Sequence, residues 1–311
     1  MEQSTNKINI TGVLVKKGLE IRNVGEDNEC ISGSLVLRTN DGSEHEVNYY
    51  ANKYKKDENG NITSEISKMY TGYETIIEEY ISLEDDKENA DVIKIGMGEY
   101  SANDFKSPKD GSVVSTNKIR AKFANRLSEQ EKEVTPKVAT FELSGIVTKM
   151  QPEMIKDQPT GNGLVMLDVI GYGGTIIPVK LTIPSDLVTP FGGAGFYEAG
   201  VGKFTGNLVN TKTVETIVEK QAFGDDKVEE RTITKKLNEV RGGSPLGTLE
   251  VLKITQEEYS TAQSKRRLKL DEIKNGTNKS KEGFTQAPQT QPNPFTASNP
   301  FGQPSTNPFA R

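Results

Sequence analysis

Residues 8–17, INITGVLVKK, alternate apolar and polar side chains, then place a Thr, a Gly, two apolar residues and, after one further residue, a Lys. Residues 141–150, FELSGIVTKM, repeat that pattern with Ser in place of Thr. A period of two is strand periodicity. Gly12 and Gly145 fall inside the strands, where a glycine marks a bulge or a sharp bend. Further echoes follow in the same order. SLVL (34–37) matches GLVML (163–167) as a buried second strand, and VIKIGMG (92–98) resembles VGKFTG (201–206). NKIRAKFANR (117–126) resembles TITKKLNEVR (232–241), a basic-apolar alternation ending in Arg. Four matches in one order predict a duplicated unit of five strands.

Between the second and fourth blocks the period changes. Ile66, Met69, Tyr70, Tyr73, Ile76, Ile77, Tyr80 and Ile81 recur at helical spacing between Ile66 and Leu83. The corresponding stretch of the second copy, Leu187 to Ala199, is a poorer helix interrupted by glycines. Five strands with one helix between the third and fourth is the layout of an OB-fold barrel, whereas a β-sandwich needs no such helix. Thr255 followed by Glu258 is a capping signature and predicts a helix to about Ile273. From Asn275 the chain is rich in Gln, Pro, Asn, Thr and Ser, too poor in apolar side chains to offset the entropy of ordering. The expected fold is mainly β: two tandem OB-fold-like five-stranded barrels over 1–126 and 137–254, a helix over 255–274, and a disordered tail over 275–311. The short charged link Leu127 to Pro136 should hold the barrels close together.

Composition narrows the chemistry. The 311 residues suffice for two cores, and only 33% are hydrophobic, a deficit for which the tail accounts in large part. One His (His45), one Cys (Cys30) and no Trp leave no partners for a zinc cage or a histidine-based triad. Cys30 reads as a small residue near a strand. FGGAGFYEAGVGKF (191–204) has Phe204 where a phosphate-binding loop needs a hydroxyl, so it reads as a connection before a strand. Eight carboxylates between Glu74 and Asp91 stand against Lys87 alone, and the spacing of the cluster at 84–91 fits no calcium loop, so it reads as a solvated acidic loop. The expectation is a non-enzyme without cofactor or metal. MEQSTNKINI lacks the apolar core of a secretory signal, and no apolar run approaches the ~18 residues that span a membrane. A cytoplasmic protein is expected, in the host cytoplasm if phage-encoded.

A net charge of −5 is unusual for a nucleic-acid binder, yet local fields decide what a groove attracts. Asn48 to Lys56 gathers Tyr49, Tyr50, Tyr54, Lys53, Lys55 and Lys56 in nine positions. Rings on which bases stack, set in an electropositive groove, are the means of single-strand binding. Lys118, Arg120 and Lys122 alternate onto one strand face, leaving Phe123 to the core. The second copy offers Tyr172, Lys180, Lys203, Lys235 and Arg241.

The tandem copies, the Tyr49–Lys56 cluster and the Pro/Gln/Asn-rich tail resemble single-stranded DNA-binding proteins, particularly large two-barrel versions encoded by bacteriophages. That resemblance implies a protein that protects and organises single-stranded DNA in replication, recombination or repair; the residues themselves leave the choice between DNA and RNA open. Bacterial members end in an acidic tip closing on Pro-Phe, which docks replication and repair proteins. Here Asn-Pro-Phe occurs three times, giving Pro294, Phe295, Pro300, Phe301, Pro308 and Phe309 as candidate partner-binding residues, but the acidic residues are missing. Two other readings stay open. Asn-Pro-Phe tripeptides are ligands of EH domains in endocytic adaptors, which suits an interaction protein acting through its tail. The low net charge suits a structural assembly protein.

Overall fold

Alternation decides which face of each strand is buried, and two rings of strands result. The computed structural model describes residues 3–23, 29–219, 223 and 227–276. The first half contains β1 (Asn6–Asn23), β2 (Glu29–Arg38), β3 (Glu44–Asn52), a small hairpin of β4 (Tyr54–Lys56) and β5 (Ile62–Ile66), and helix α1 (Lys68–Glu79). It continues with β6 (Val92–Gly96), β7 (Glu99–Lys106), β8 (Val113–Arg120) and β9 (Phe123–Arg126). Helix α2 (Glu129–Val134) leads to β10 (Ala139–Ile155), β11 (Gln158–Ile170), β12 (Ile176–Ile183), α3 (Ser185–Gly193), β13 (Val201–Glu219), β14 (Lys227–Gly247) and α4 (Gln256–Asn275).

The second barrel closes as β10-β11-β12-β14-β13-β10, with one parallel pairing at Thr182 and Glu239. The first follows the same order. β1, β2 and β3 form a meander, β3 meets β8 in parallel at Val47 and Ile119, and β8 pairs with β7. β6 and an Ile8–Gly98 bridge close the ring on β1. Its fourth and fifth strands are each broken once, at Met97–Gly98 and Ala121–Lys122. Helices α1 and α3 lie between the third and fourth strands, as the layout predicts.

Register confirms the duplication. Gly12 precedes the Val13–Arg38 pair and Gly145 precedes the Ile146–Asp168 pair. A Cβ on Gly12 would lie 2.7 Å from the Arg38 carbonyl oxygen, and one on Gly145 2.4 Å from that of Asp168. In both strands a bulge follows, between Leu14 and Lys16 and between Val147 and Lys149. The fourth sequence block needs correction. Asn48 pairs with Arg120, and its counterpart Thr182 with Glu239, so Arg126 matches Pro245 and not Arg241. Two alternating strands can be aligned at any even offset, so the sequence did not fix this register.

The barrels join through β1 and β10, paired from Asn6–Leu143 to Ile10–Ala139. Within the link Leu127 to Pro136 the chain forms a further helix, α2, with a Ser128–Glu131 capping box. The capping box at Thr255 and Glu258 starts α4 as expected. Tyr259 and Ala262 seat α4 on a cluster containing Ile146, Ile170, Ile176 and Val201. Among the described residues no helix is long and apolar enough to cross a membrane.

Candidate nucleic-acid interface

The Tyr49–Lys56 cluster is not one surface. In β3 the side chains of His45, Val47, Tyr49 and Ala51 point inward, so Tyr49 is buried and its ring packs edge-on to Tyr73 at 5.4 Å. A ring in the core cannot stack a base, which overturns that expectation for Tyr49. Burial also pushes its hydroxyl well above the usual tyrosine range. Tyr50 points outward, partly exposed, and donates to Asn52 Oδ1 at 2.7 Å. β3 ends at Asn52, and Tyr54, Lys55 and Lys56 belong to the separate β4–β5 hairpin. Lys53 is tied to Glu29 at 3.0 Å, where the Tyr70 hydroxyl also donates. These two hydrogen bonds, that of Tyr70 foremost, hold the Glu29 carboxyl below its ordinary value. Lys53 Nζ also lies 6.0 Å from the centre of the Tyr54 ring, and Lys55 pairs with Glu65. Lys56 is exposed.

A different grouping forms beside β3. Tyr50, Arg120 and Lys122 line a hollow of about 240 Å³ together with Asn48, Met97 and Glu99. Met97, held at φ 54° where the fourth strand breaks, is 62% exposed. Phe123 is 45% exposed, contrary to the core position expected for it. The break at Ala121–Lys122 shifts the alternation, so Ala121 is buried and Phe123 lies against Gly96 at the surface. Arg120 and Lys122 outweigh Glu99, which faces Arg120 across the β7–β8 register. Asn48 also lines the adjoining cleft between the barrels, with Lys118, Lys236 and His45. Lys118 thus lines one cleft, which Glu46 also lines, and Arg120 and Lys122 line the next, with Asn48 common to both. Burial lowers the pKa of His45 to about 4, so it adds no charge there near neutrality.

The second barrel does not repeat this arrangement. The register makes Pro184 the counterpart of Tyr50, Glu239 of Arg120, and Gly242 of Phe123. Arg241 pairs with Glu239, and Lys203 pairs with Glu142 at 2.7 Å. Lys180 stands 3.9 Å from Glu153, and Lys235 is exposed on β14. Tyr172, 89% exposed on the turn between β11 and β12, is the most accessible of the expected rings. Pro294, Phe295, Pro300, Phe301, Pro308 and Phe309 lie outside the described residues.

The acidic run between Glu74 and Asp91 is answered by cations more than expected. Lys16 meets Glu84 at 3.4 Å, Lys17 meets Asp85 at 3.2 Å, and Arg126 and Lys132 flank the buried Asp91. Among the described residues no group of three or more His, Cys, Asp or Glu could hold a metal ion.

Residues 4–276 match the protein-family model described as YorF. No curated protein sequence matches the chain. Among solved structures, the wild-type single-stranded DNA binding protein from Thermus aquaticus is similar with a TM-score of 0.44 and 12% identity, over 78% of this chain and 93% of that one. A deletion mutant of the same Thermus aquaticus protein gives 0.40 and 13%, over 78% and 95%. A replication protein A heterotrimer bound to ssDNA gives 0.19 and 11%, over 86% and 53%.

Proposed function

We propose that this chain, which belongs to the YorF family, binds single-stranded DNA without catalysis. The observation that carries the reading is the grouping of Tyr50 and Met97 with Arg120 and Lys122 in one hollow of the first barrel, with the exposed Phe123 next in the chain to Lys122. Bases would stack on the Tyr50 and Phe123 rings and against the Met97 thioether, each stacked base contributing ~1–3 kcal/mol. The guanidinium of Arg120 and the ammonium of Lys122 would neutralise phosphates and release counterions. Stacking needs unpaired bases, so the surface favours single strands over duplex, and ring faces accept any base, so sequence preference is slight.

In this reading the protein coats and protects single strands during replication, recombination or repair, in a phage-infected cell, within the cytoplasm. The two units over 1–126 and 137–254 act together, and the second contributes Tyr172, Lys180 and Lys235 as secondary contacts. The three Asn-Pro-Phe tripeptides recruit replication or recombination proteins, each repeat raising the local concentration of the same motif. The test is a competition between a single-stranded oligonucleotide and the matching duplex for the full chain at fixed salt. Preference for the single strand by about a hundredfold, ~2.7 kcal/mol, is expected. Equal affinity, or no binding to either, contradicts the reading.

A further inference from the structure

Arg120 lines a second hollow besides the one it shares with Tyr50. This one, about 380 Å³, lies between α4 and both barrels and is also lined by Ala102, Gly174, Ile176, Lys265 and Lys269. Its lining includes four cations, with Arg266 the fourth, and no carboxylate. A volume of this size is at the lower end of what small-molecule pockets offer and suits one nucleotide.

The helix is held so that its lysines stay at the rim. Arg266 turns inward and forms a forked ion pair with Asp104 of β7, at 2.9 Å to Oδ1 and 3.2 Å to Oδ2. It also donates to the Ile176 carbonyl at 3.2 Å. The Asp104 side chain is fully buried, so its charge is consumed beneath the helix. Lys265 and Lys269, four residues apart, share one face of α4, and the Lys269 side chain remains 55% exposed although its Nζ lies 3.7 Å from Asp104. The acidic side chains of the first turn, Glu257 and Glu258, line the next hollow along, with Lys265, Gly173 and Gly174. Glu258 is turned back into the capping box. The exposed Tyr172 immediately precedes Gly173 and Gly174, which line both hollows.

We infer that the cleft beneath α4 is a second segment of the single-strand path, in which Lys265 and Lys269 hold a phosphate and Tyr172 stacks a base. The inference rests on the single-strand reading of the first-barrel face. Charge complementarity and continuity through Arg120 identify the occupant, because Arg120 lines both hollows and Glu99 is the one carboxylate among the residues lining them, against five cations. The arrangement gives α4 a role beyond covering the barrels.

The test uses the full chain with Lys265→Gln and Lys269→Gln combined, titrated with oligo-dT of increasing length across a salt series. Loss of the one phosphate they hold should lower the slope of log affinity against log salt by about 0.7 and weaken long oligonucleotides about tenfold. Oligonucleotides short enough to occupy only the first-barrel face should be almost unaffected. A strand carrying a photoreactive halogenated uracil should crosslink to Tyr172. An unchanged slope on long strands, with an unchanged melting temperature and no Tyr172 crosslink, overturns the inference. If the parent chain binds and Lys122→Gln weakens it while the α4 variant does not, the first-barrel reading stands and only this inference fails. A parent chain that binds no single strand removes both.

Discussion

The Tyr259 hydroxyl donates to Asp168 Oδ2 at 2.7 Å, joining helix α4 to the end of β11 in a buried hydrogen bond. Burial raises the Asp168 carboxyl pKa, while the Tyr259 hydrogen bond and Arg266 oppose that rise. Tyr259→Phe leaves the carboxyl without this donor and should destabilise the fold by ~1–3 kcal/mol near neutrality. The sign of the pH dependence follows from the raised pKa. A carboxyl that binds its proton more readily when folded makes the fold less stable as pH rises through its folded pKa. The deficit of Tyr259→Phe should therefore shrink on acidification. Chemical denaturation of both proteins along a pH series measures it, and a deficit that grows in acid contradicts this account.

The legible parts of the chain were those with an unambiguous period. Gly12 and Gly145 could be paired from sequence because each interrupts a distinctive alternation. The cluster of tyrosines and lysines does not form one surface because adjacent rings, Tyr49 and Tyr50, must point to opposite faces. Val47 and Ala51 already marked the parity that puts Tyr49 inside. Phe123 and Met97 escaped for the opposite reason. Each sits at or beside a break in its strand, and alternation carries no information across a break. Ser128 and Glu131 bore a capping signature as clear as that of Thr255 and Glu258, so α2 was legible. The cleft beneath α4 was not, since it depends on Arg266 of the last helix meeting Asp104 of the first barrel.

Gly12→Ala and Gly145→Ala should each be destabilising, because the added methyl would meet a backbone carbonyl oxygen at 2.7 Å or 2.4 Å. Forced overpacking of this kind costs ~1–3 kcal/mol. Thermal unfolding should show both losses. A neutral outcome at either position would mean that the crossing of first and second strands is looser than described.

His45 offers a probe of the seam between the barrels. Its folded pKa, lowered to about 4 by burial, lies below the usual 6.5. The unfolded chain gains this proton first, so stability is lost as pH falls from the usual value toward the folded one, by up to about 3 kcal/mol. Being the single histidine, its imidazole resonance is assignable by inspection. It should not titrate between about pH 8 and pH 5. Titration near the ordinary value would place the ring in water, and His45→Gln should flatten the acid limb of the stability profile.

The central claim is that rings and charges on the first barrel divide the work of holding a single strand. The direct measurement is the salt dependence of single-strand affinity for Tyr50→Leu with Phe123→Leu, set against Arg120→Gln with Lys122→Gln. The ring variant should bind about tenfold or more weakly at every salt concentration with its slope preserved, since stacking releases no counterions. The charge variant should lose about 1.4 from the slope. Identical slopes for both variants and the parent, or full affinity in the charge variant, would contradict the assignment of this face.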